Sequence, residues 1–335
     1  MNSSINLYKN KKSYYLWILI FFLIWATFFA FMYYATIKID YVWRWFRVPQ
    51  YFYFVETIET KARVDGTVAS IQKGEKETVI TIKADDGDTV TYKGPLETVN
   101  VSENDLVFSG DTLGSYKKGK PGILLQGLWV TLKVSMIAIV FGIILGIIAG
   151  LFRISKNPAA KWSAMIYIEI IRGSPLLVQI FIWYFVLGTL INTLLARQDF
   201  NQIPPLWFGV ASLSCFAGAY VAEIVRAGIE SIHKGQFEAA RSLGMTYTQT
   251  MWHIILPQAM RRILPPLAGQ FISLIKDSSL LGIIAIRELT KATREVVTTS
   301  LQPFELFFIC AILYLVLTFS LSMFVQYLER RVDVK

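Results

Sequence analysis

The sequence predicts an all-α membrane protein of six transmembrane helices, an N-terminal anchor plus a five-helix core, with a small all-β domain inserted between them. Three observations carry this. Of the 335 residues, 54% are hydrophobic and 14% aromatic, more apolar than soluble domains usually are. The apolar residues gather into six runs, each long enough to cross a hydrocarbon core of about 30 Å. Between the first and second runs the composition turns polar, with β-branched residues alternating at period two.

Charge and cysteine usage narrow the function classes. The formal net charge is +9, but the basic residues flank the apolar runs and form no single face. Membrane lipid and orientation account for them, and nucleic acid is not an expected partner. Cys215 and Cys310 both fall inside apolar runs, where they read as small apolar side chains and not as a disulfide or metal pair. No Gly-x4-Gly-Lys-Ser/Thr phosphate loop occurs, so the chain does not hold ATP by that route.

Residues 1–54 read as an anchor and its interface. Lys9, Lys11 and Lys12 precede an uncharged aromatic run over 14–37. Bulky aromatics stand where a signal peptide needs a small-residue cleavage site, so the run is an uncleaved anchor with its basic end in the cytoplasm. Trp43, Trp45 and Phe46, with Arg44 and Arg47, suit an interface belt at the outer surface. Residues 55–120 form the β domain, expected on the extracytoplasmic side. Ile80 and Ile82 alternate with Thr81 and Lys83, Asp85-Asp86-Gly87-Asp88 makes a turn, and Val90 and Tyr92 resume the alternation. That is a hairpin.

Residues 121–335 are the membrane domain, with runs at 123–152, 163–191, 205–225, 263–286 and 306–328. Gly142, Gly146 and Gly150 in the first of these stand four apart, the spacing that lets two helices approach closely. The second contains Gly173-Ser174-Pro175. Six spans place both basic termini in the cytoplasm. Glu169 with Arg172, and Glu223 with Arg226, stand one helical turn apart and read as local pairs. Lys276 and Asp277 adjoin inside an apolar run, where ionisable groups face a partner or a watery path. Two readings stand side by side: they contact a polar solute together with Ser278 and Ser279, or they pair and fix packing.

A polar stretch at 234–257 interrupts the membrane domain. Residues 236–243 are good helix formers, and Gly244 suits the left-handed position after their helix. A second helix is expected from 245, stopped by Pro257. Ala239 and Ala240 are small enough for another protein's groove to close on this helix. Arg226, Lys234, Arg241, Arg261 and Arg262 place the stretch in the cytoplasm. Arg287, Lys291 and Arg294 would then lie outside, against the charge rule, with Glu288 and Glu295 among them; a partly buried helix accommodates them.

Glu238-Ala239-Ala240, Gly244, Ile254, Leu256 and Pro257 fall at the spacing EAA-x3-G-x9-I-x-L-P. This resembles the loop of permease subunits in binding-protein-dependent ABC importers. Residues 124–331 further resemble the polar amino-acid (histidine/glutamine/arginine-type) subfamily, through runs such as Gly127–Leu132, Glu169-x2-Arg172-Gly173-Ser174-Pro175-Leu176-Leu177-Val178-Gln179, Tyr220-x2-Glu223-x2-Arg226 and Phe271–Leu280. The resemblance implies a multi-pass protein of the cytoplasmic (inner) membrane that is not itself an enzyme and binds no cofactor. ATP and Mg would be held by separate cytoplasmic ATPase subunits gripping the seven loop residues named above. A second permease subunit, copy or homologue, and an extracytoplasmic amino-acid-binding protein would complete the system. Lys276, Asp277, Ser278, Ser279 and Gln179 are its substrate-path candidates.

The β domain resembles barrel-sandwich modules of lipoyl-like and LytM-like proteins. It carries no convincing lipoyl lysine at a hairpin tip, and the only histidines of the chain, His233 and His253, lie in or beside the polar stretch, so a zinc hydrolase site is not expected here. A structural insert and a partner-binding module both remain open. Two other classes compete for the whole chain. An ion-coupled secondary transporter accounts for the spans and for Lys276 and Asp277 but not for the EAA-like loop; a membrane-anchored cell-wall hydrolase accounts for the β domain but lacks the histidines, which leaves a membrane-anchored noncatalytic cell-wall-binding protein as the form of that alternative.

Overall fold

The computed structural model describes residues 11–74 and 77–333; Lys9 lies outside them. The chain divides into two compact units, Met1–Trp45 and Phe46–Lys335. In the first, α1 (Lys11–Lys38) is one helix with aromatic and aliphatic side chains exposed all round, as a lipid-facing anchor requires. Beyond its end Trp43 and Trp45 stack with ring centroids 5.6 Å apart.

The second unit begins with the β domain. Its strands are β1 (Tyr53–Lys61), β2 (Gly66–Lys73), β3 (Thr78–Ala84), β4 (Thr89–Gly94), β5 (Thr98–Val99), β6 (Leu106–Val107) and β7 (Thr112–Pro121). They form two antiparallel sheets, in the orders β1-β7-β5 and β4-β3-β2-β6. The expected hairpin is present: Ile82 faces Val90, Ile80 faces Tyr92, and Gly87 takes φ +91 in the turn. Val68, Ile80, Ile82, Tyr92, Val107 and Leu113 bury together as the domain core.

β1 and β7 pair along their whole length, down to Tyr53 opposite Pro121. The next residue, Gly122, lies so close to the Tyr51 carbonyl oxygen that a Cβ would stand 2.2 Å from it. Tyr51 and Phe52 pack against Leu124, Leu289 and Cys310. The domain therefore stands on the helices by a two-stranded stalk.

The helices that follow are α2 (Ile123–Arg153), α3 (Pro158–Gly173), α4 (Leu176–Phe181), α5 (Thr189–Ala196), α6 (Pro205–Glu230), α7 (Lys234–Ser242), α8 (Tyr247–Thr250), α9 (Leu256–Asp277), α10 (Leu289–Ser300) and α11 (Pro303–Asp333). π-helical turns join α4 to α5 (Ile182–Gly188) and α8 to α9 (Met251–Ile255), and a 3-10 turn (Ser278–Ile284) extends α9. Among the described residues, six helical stretches are long and apolar enough to cross a membrane: Tyr14–Lys38, Ile123–Arg153, Leu176–Ala196, Pro205–Glu230, Tyr247–Ile284 and Pro303–Tyr327.

Two of these correct the sequence reading. The run at 163–191 is not one helix. Pro175 drives Ser174 out of the helical region, to φ −115 and ψ 145, so α3 ends at Gly173 and the candidate span begins at Leu176. Nor does Pro257 stop a helix ahead of a span at 263–286: it sits in the first turn of α9, and the helical path is continuous from Tyr247.

The glycine spacing in α2 does what it predicts. α2 and α6 lie backbone to backbone, and a Cβ would meet the Cβ of Ala217 at 2.8 Å from Gly142, that of Val221 at 2.4 Å from Gly146, and the Ala222 carbonyl oxygen at 2.9 Å from Gly150. We expect Gly146→Leu to cost about 1–3 kcal/mol or more through overpacking, seen as a lower thermal midpoint of the purified protein. Gly269→Ala, whose Cβ meets open space, should leave the midpoint unchanged; equal midpoints for both variants would remove the close contact from the account.

Candidate coupling elbow and polar sites of the bundle

α7 and α8 make a rigid elbow. His233 caps α7, its Nδ1 accepting from the Gly235 N–H at 3.1 Å. At the other end Gly244 takes φ +77 and donates to the Arg241 carbonyl at 2.9 Å, while Met245 donates to the Ala240 carbonyl at 3.1 Å. This pair of bonds closes the last turn in a Schellman motif, which needs a left-handed residue at the glycine. Thr246 and Gln249 then form a reciprocal capping box for α8: the Thr246 N–H donates to Gln249 Oε1 at 2.9 Å and the Gln249 N–H to Thr246 Oγ1 at 3.3 Å. Phe237 and Tyr247 meet edge to face across the bend, 5.6 Å between centroids.

The seven spaced residues divide by direction. Glu238, Ala239, Gly244 and Pro257 are exposed, Ala240 is buried, and Ile254 and Leu256 are half-buried. Leu243, not among the seven, is 82% exposed, so the outward face is small-residue backbone beside one apolar knob. The inward face meets Val225, Ile229, Ile232, Ile255, Ala259 and Ile263 in one apolar cluster. Pro257 is absorbed because the preceding turn is π-helical: the Leu256 N–H donates to the Met251 carbonyl five residues back, and proline is tolerated in the first turn of the helix that follows.

The intramembrane residues do not form one cluster. Lys276 is exposed and Asp277 half-buried, at the point where α9 tightens into the 3-10 turn, and the two make no ion pair with each other or with any described residue. Ser278 is buried with its hydroxyl donating to the Ile275 carbonyl at 2.7 Å, and Ser279 is half-buried. Gln179 bonds a break in the helix path. Its Nε2 donates to the Ile171 carbonyl at 2.7 Å, the Ser174 carbonyl at 3.1 Å and Ser174 Oγ at 2.9 Å, fastening the break before Pro175, while its Oε1 is buried without a partner.

Of the two expected local pairs one is present. Arg226 bonds Glu223 at 2.9 Å, and Glu223 also lies 3.8 Å from Arg153 of α2. No Glu169–Arg172 ion pair occurs among the described residues; the Arg172 guanidinium instead lies over the Tyr220 ring, 5.4 Å from its centroid.

The segment that resisted the charge rule is helical, as the partly buried reading expects: α10, with Arg287 paired to Glu295 at 2.7 Å. Sequence reasoning missed what holds it. Glu288 is wholly buried and caps α10, accepting from the Thr290 and Lys291 N–H groups at 2.7 Å each and from the Tyr314 hydroxyl at 3.0 Å. Burial pushes its carboxyl up from the ordinary value, and those hydrogen bonds offset only part of the rise. Thr131 of α2 accepts the Leu289 N–H at 3.1 Å. An acidic residue immediately before a polar amphipathic stretch was the available signal.

The chain belongs to the family of binding-protein-dependent transport system inner membrane components, whose sequence profile matches residues 142–334. It is 40% identical over 209 residues to the probable glutamine ABC transporter permease protein GlnM of Bacillus subtilis (strain 168), covering 62% of this chain and 93% of that one. It is 37% identical over 212 residues to the glutamine transport system permease protein GlnP of Escherichia coli (strain K12), covering 63% and 94%. Among solved structures, an amino acid ABC transporter crystallised with histidines matches at a TM-score of 0.55 and 38% identity, over 62% of this chain and 94% of that one. The MetNI methionine ABC transporter, at 19% identity and a TM-score of 0.52, shares the fold.

Gln179 tests the division between fastener and path. Gln179→Leu should destabilise the protein by about 1–3 kcal/mol, since buried backbone carbonyls lose their donor. Uptake per inserted molecule should then fall equally for all solutes, measured against thermal midpoint and membrane abundance.

Proposed function

We propose that this chain is the permease subunit of an ABC importer carrying polar amino acids across the cytoplasmic (inner) membrane. The observation that carries the reading is the capped elbow, with its small-residue outer face, set on the ends of α6 and α9; the glutamine permease relatives support the choice of solute. ATP and Mg belong to two cytoplasmic ATPase subunits, and the chain itself performs no catalysis. An extracytoplasmic amino-acid-binding protein delivers the solute, and a second permease, copy or homologue, completes the path.

In this reading Glu238, Ala239 and Gly244 meet the ATPase, while Ala240, Ile254, Leu256 and Pro257 hold the elbow on the bundle. Geometry within the second unit supports the topology. α2 begins at the β stalk and ends at Arg153, which lines a cavity with His233, Lys234, Phe237 and Tyr247 of the elbow region. Its 31 residues span about 45 Å at 1.5 Å each, more than a hydrocarbon core. With the elbow in the cytoplasm, the β domain 55–120 stands outside and both termini lie inside. We assign Lys276, Asp277, Ser278 and Ser279 to the solute path, and Gln179 to the wall that positions it.

Three outcomes check this. Gly244→Val forces a β-branched residue into left-handed backbone, costing about 1–2 kcal/mol locally; the complex should assemble and hydrolyse ATP yet transport poorly. Normal uptake, with the ATPase still bound, would remove the docking account. A cysteine at Asp86→Cys should react with a membrane-impermeant reagent in cells whose outer barrier is open; labelling only after lysis would invert the topology. Asp277→Asn should spare insertion and basal ATP hydrolysis while lowering uptake, most for cationic amino acids, measured per inserted molecule with an acidic, a neutral and a basic amino acid. A loss that vanishes on normalisation would strike Asp277 from the path.

A further inference from the structure

The last turns of α6, the first turns of α9 and the end of α3 border an open cavity of about 490 Å³ whose lining includes Arg172, Tyr220, Glu223, Ile224, Arg262 and Pro266. Its carboxylate is already engaged. Glu223 is held by Arg226 and approached by Arg153, and nearby Glu230 is held by the other arm of Arg226. Arg172 and Arg262 form no ion pair among the described residues. Arg172 lies over the Tyr220 ring, its guanidinium carbon 5.4 Å from the centroid, a cation–π contact that leaves its N–H donors for another acceptor. Arg262 gives one N–H to the Ser231 carbonyl at 2.6 Å, which leaves most of its five donors.

Two uncompensated guanidiniums on one cavity create a field that favours an anion, and their donors suit a tetrahedral oxyanion. The remaining walls are apolar, through Ile224 and Pro266, and the cavity lies where the stretch Pro205–Glu230 ends, the level at which a bilayer passes from hydrocarbon to headgroup. An oxyanion on an apolar body is the ligand such a site takes. We propose that this cavity binds the phosphate of an anionic phospholipid, with Arg172 and Arg262 donating to its oxygens and Ile224 and Pro266 flanking the glycerol.

The test uses the full chain, purified in detergent and stripped of lipid, with its thermal midpoint followed during titration with phosphatidylglycerol, phosphatidylcholine or inorganic phosphate. Phosphatidylglycerol should raise the midpoint and phosphatidylcholine should not. Arg172→Gln should need about tenfold more phosphatidylglycerol for the same rise, the loss expected for a hydrogen-bonded charge pair. Arg262→Gln should behave likewise, and if it fails to fold, the exposed Arg172 carries the test. Lys156→Gln, a basic residue beside a different cavity, should match the wild type. An undiminished response in Arg172→Gln, or an equal loss in Lys156→Gln, would overturn the site in favour of general surface charge. A rise reproduced in full by millimolar inorganic phosphate would overturn the lipid and assign the cavity to the free anion.

Discussion

The contact between α2 and α6 sets the frame for everything else in the second unit. Three glycines on one helix let two backbones touch where side chains would otherwise hold them apart, and dispersion along the seam takes the place of the hydrophobic drive that lipid removes. The other parts hang from these two helices. The β stalk joins the first residue of α2 through Gly122, Thr131 of α2 receives the backbone of α10, and Glu223 of α6 reaches Arg153 at the far end of α2. The elbow continues directly from α6. A shift of one helix against the other would therefore be felt at the stalk, at α10 and at the elbow together.

A second constraint comes from the solvent. In hydrocarbon a broken helix leaves backbone groups that no water can satisfy, and this bundle is broken repeatedly. Several of the breaks have a side chain assigned to them. Gln179 spans the gap before Pro175, and Asn192 binds both the N–H and the carbonyl of Ile203, at 2.8 and 3.1 Å, where the chain returns into α6. Glu288 gathers the first N–H groups of α10, and the π-helical turn Met251–Ile255 takes up Pro257 without loss of continuity. Polar residues in the apolar runs thus serve mainly the backbone. That is why Asp277, half-buried and without an ion pair, stands apart from them.

Where the pattern was local, it was legible in the sequence. Gly244 had to be left-handed because good helix formers ended there, Gly142, Gly146 and Gly150 repeated at the helical turn, and the Asp85–Asp88 turn lay between alternating strands. What was not legible depended on partners distant in the chain or on a change of helical type. Pro257 read as a stop because sequence spacing carries no mark of the wide turn that admits it. Arg172 had a carboxylate one turn away and an aromatic ring 48 positions on, and the ring won, since packing of α3 on α6 decided what lay within reach. Glu288 looked like one acid among mixed charges; only the convergence of α10, α11 and the 3-10 turn makes it a buried cap.

The elbow and the helix ends beneath it behave as one piece. Gln258 reaches from α9 to Gln236 of α7 at 3.3 Å, Arg262 holds the Ser231 carbonyl at the end of α6, and the apolar cluster of Val225, Ile229, Ile255, Ala259 and Ile263 fills the space between. Capped at both of its bends, the elbow has little freedom to flex by itself, so a displacement applied to its outer face passes into α9. There Pro265 and Pro266 withhold the N–H groups that the Arg261 and Arg262 carbonyls would otherwise receive. The helix is weakest just beyond the rigid piece, and past that point lies the segment that ends at Asp277 and tightens into the 3-10 turn. In the proposed reading, motion at the elbow would bend α9 at these prolines, and the residues so displaced would be the charged and hydroxyl-bearing ones at its far end.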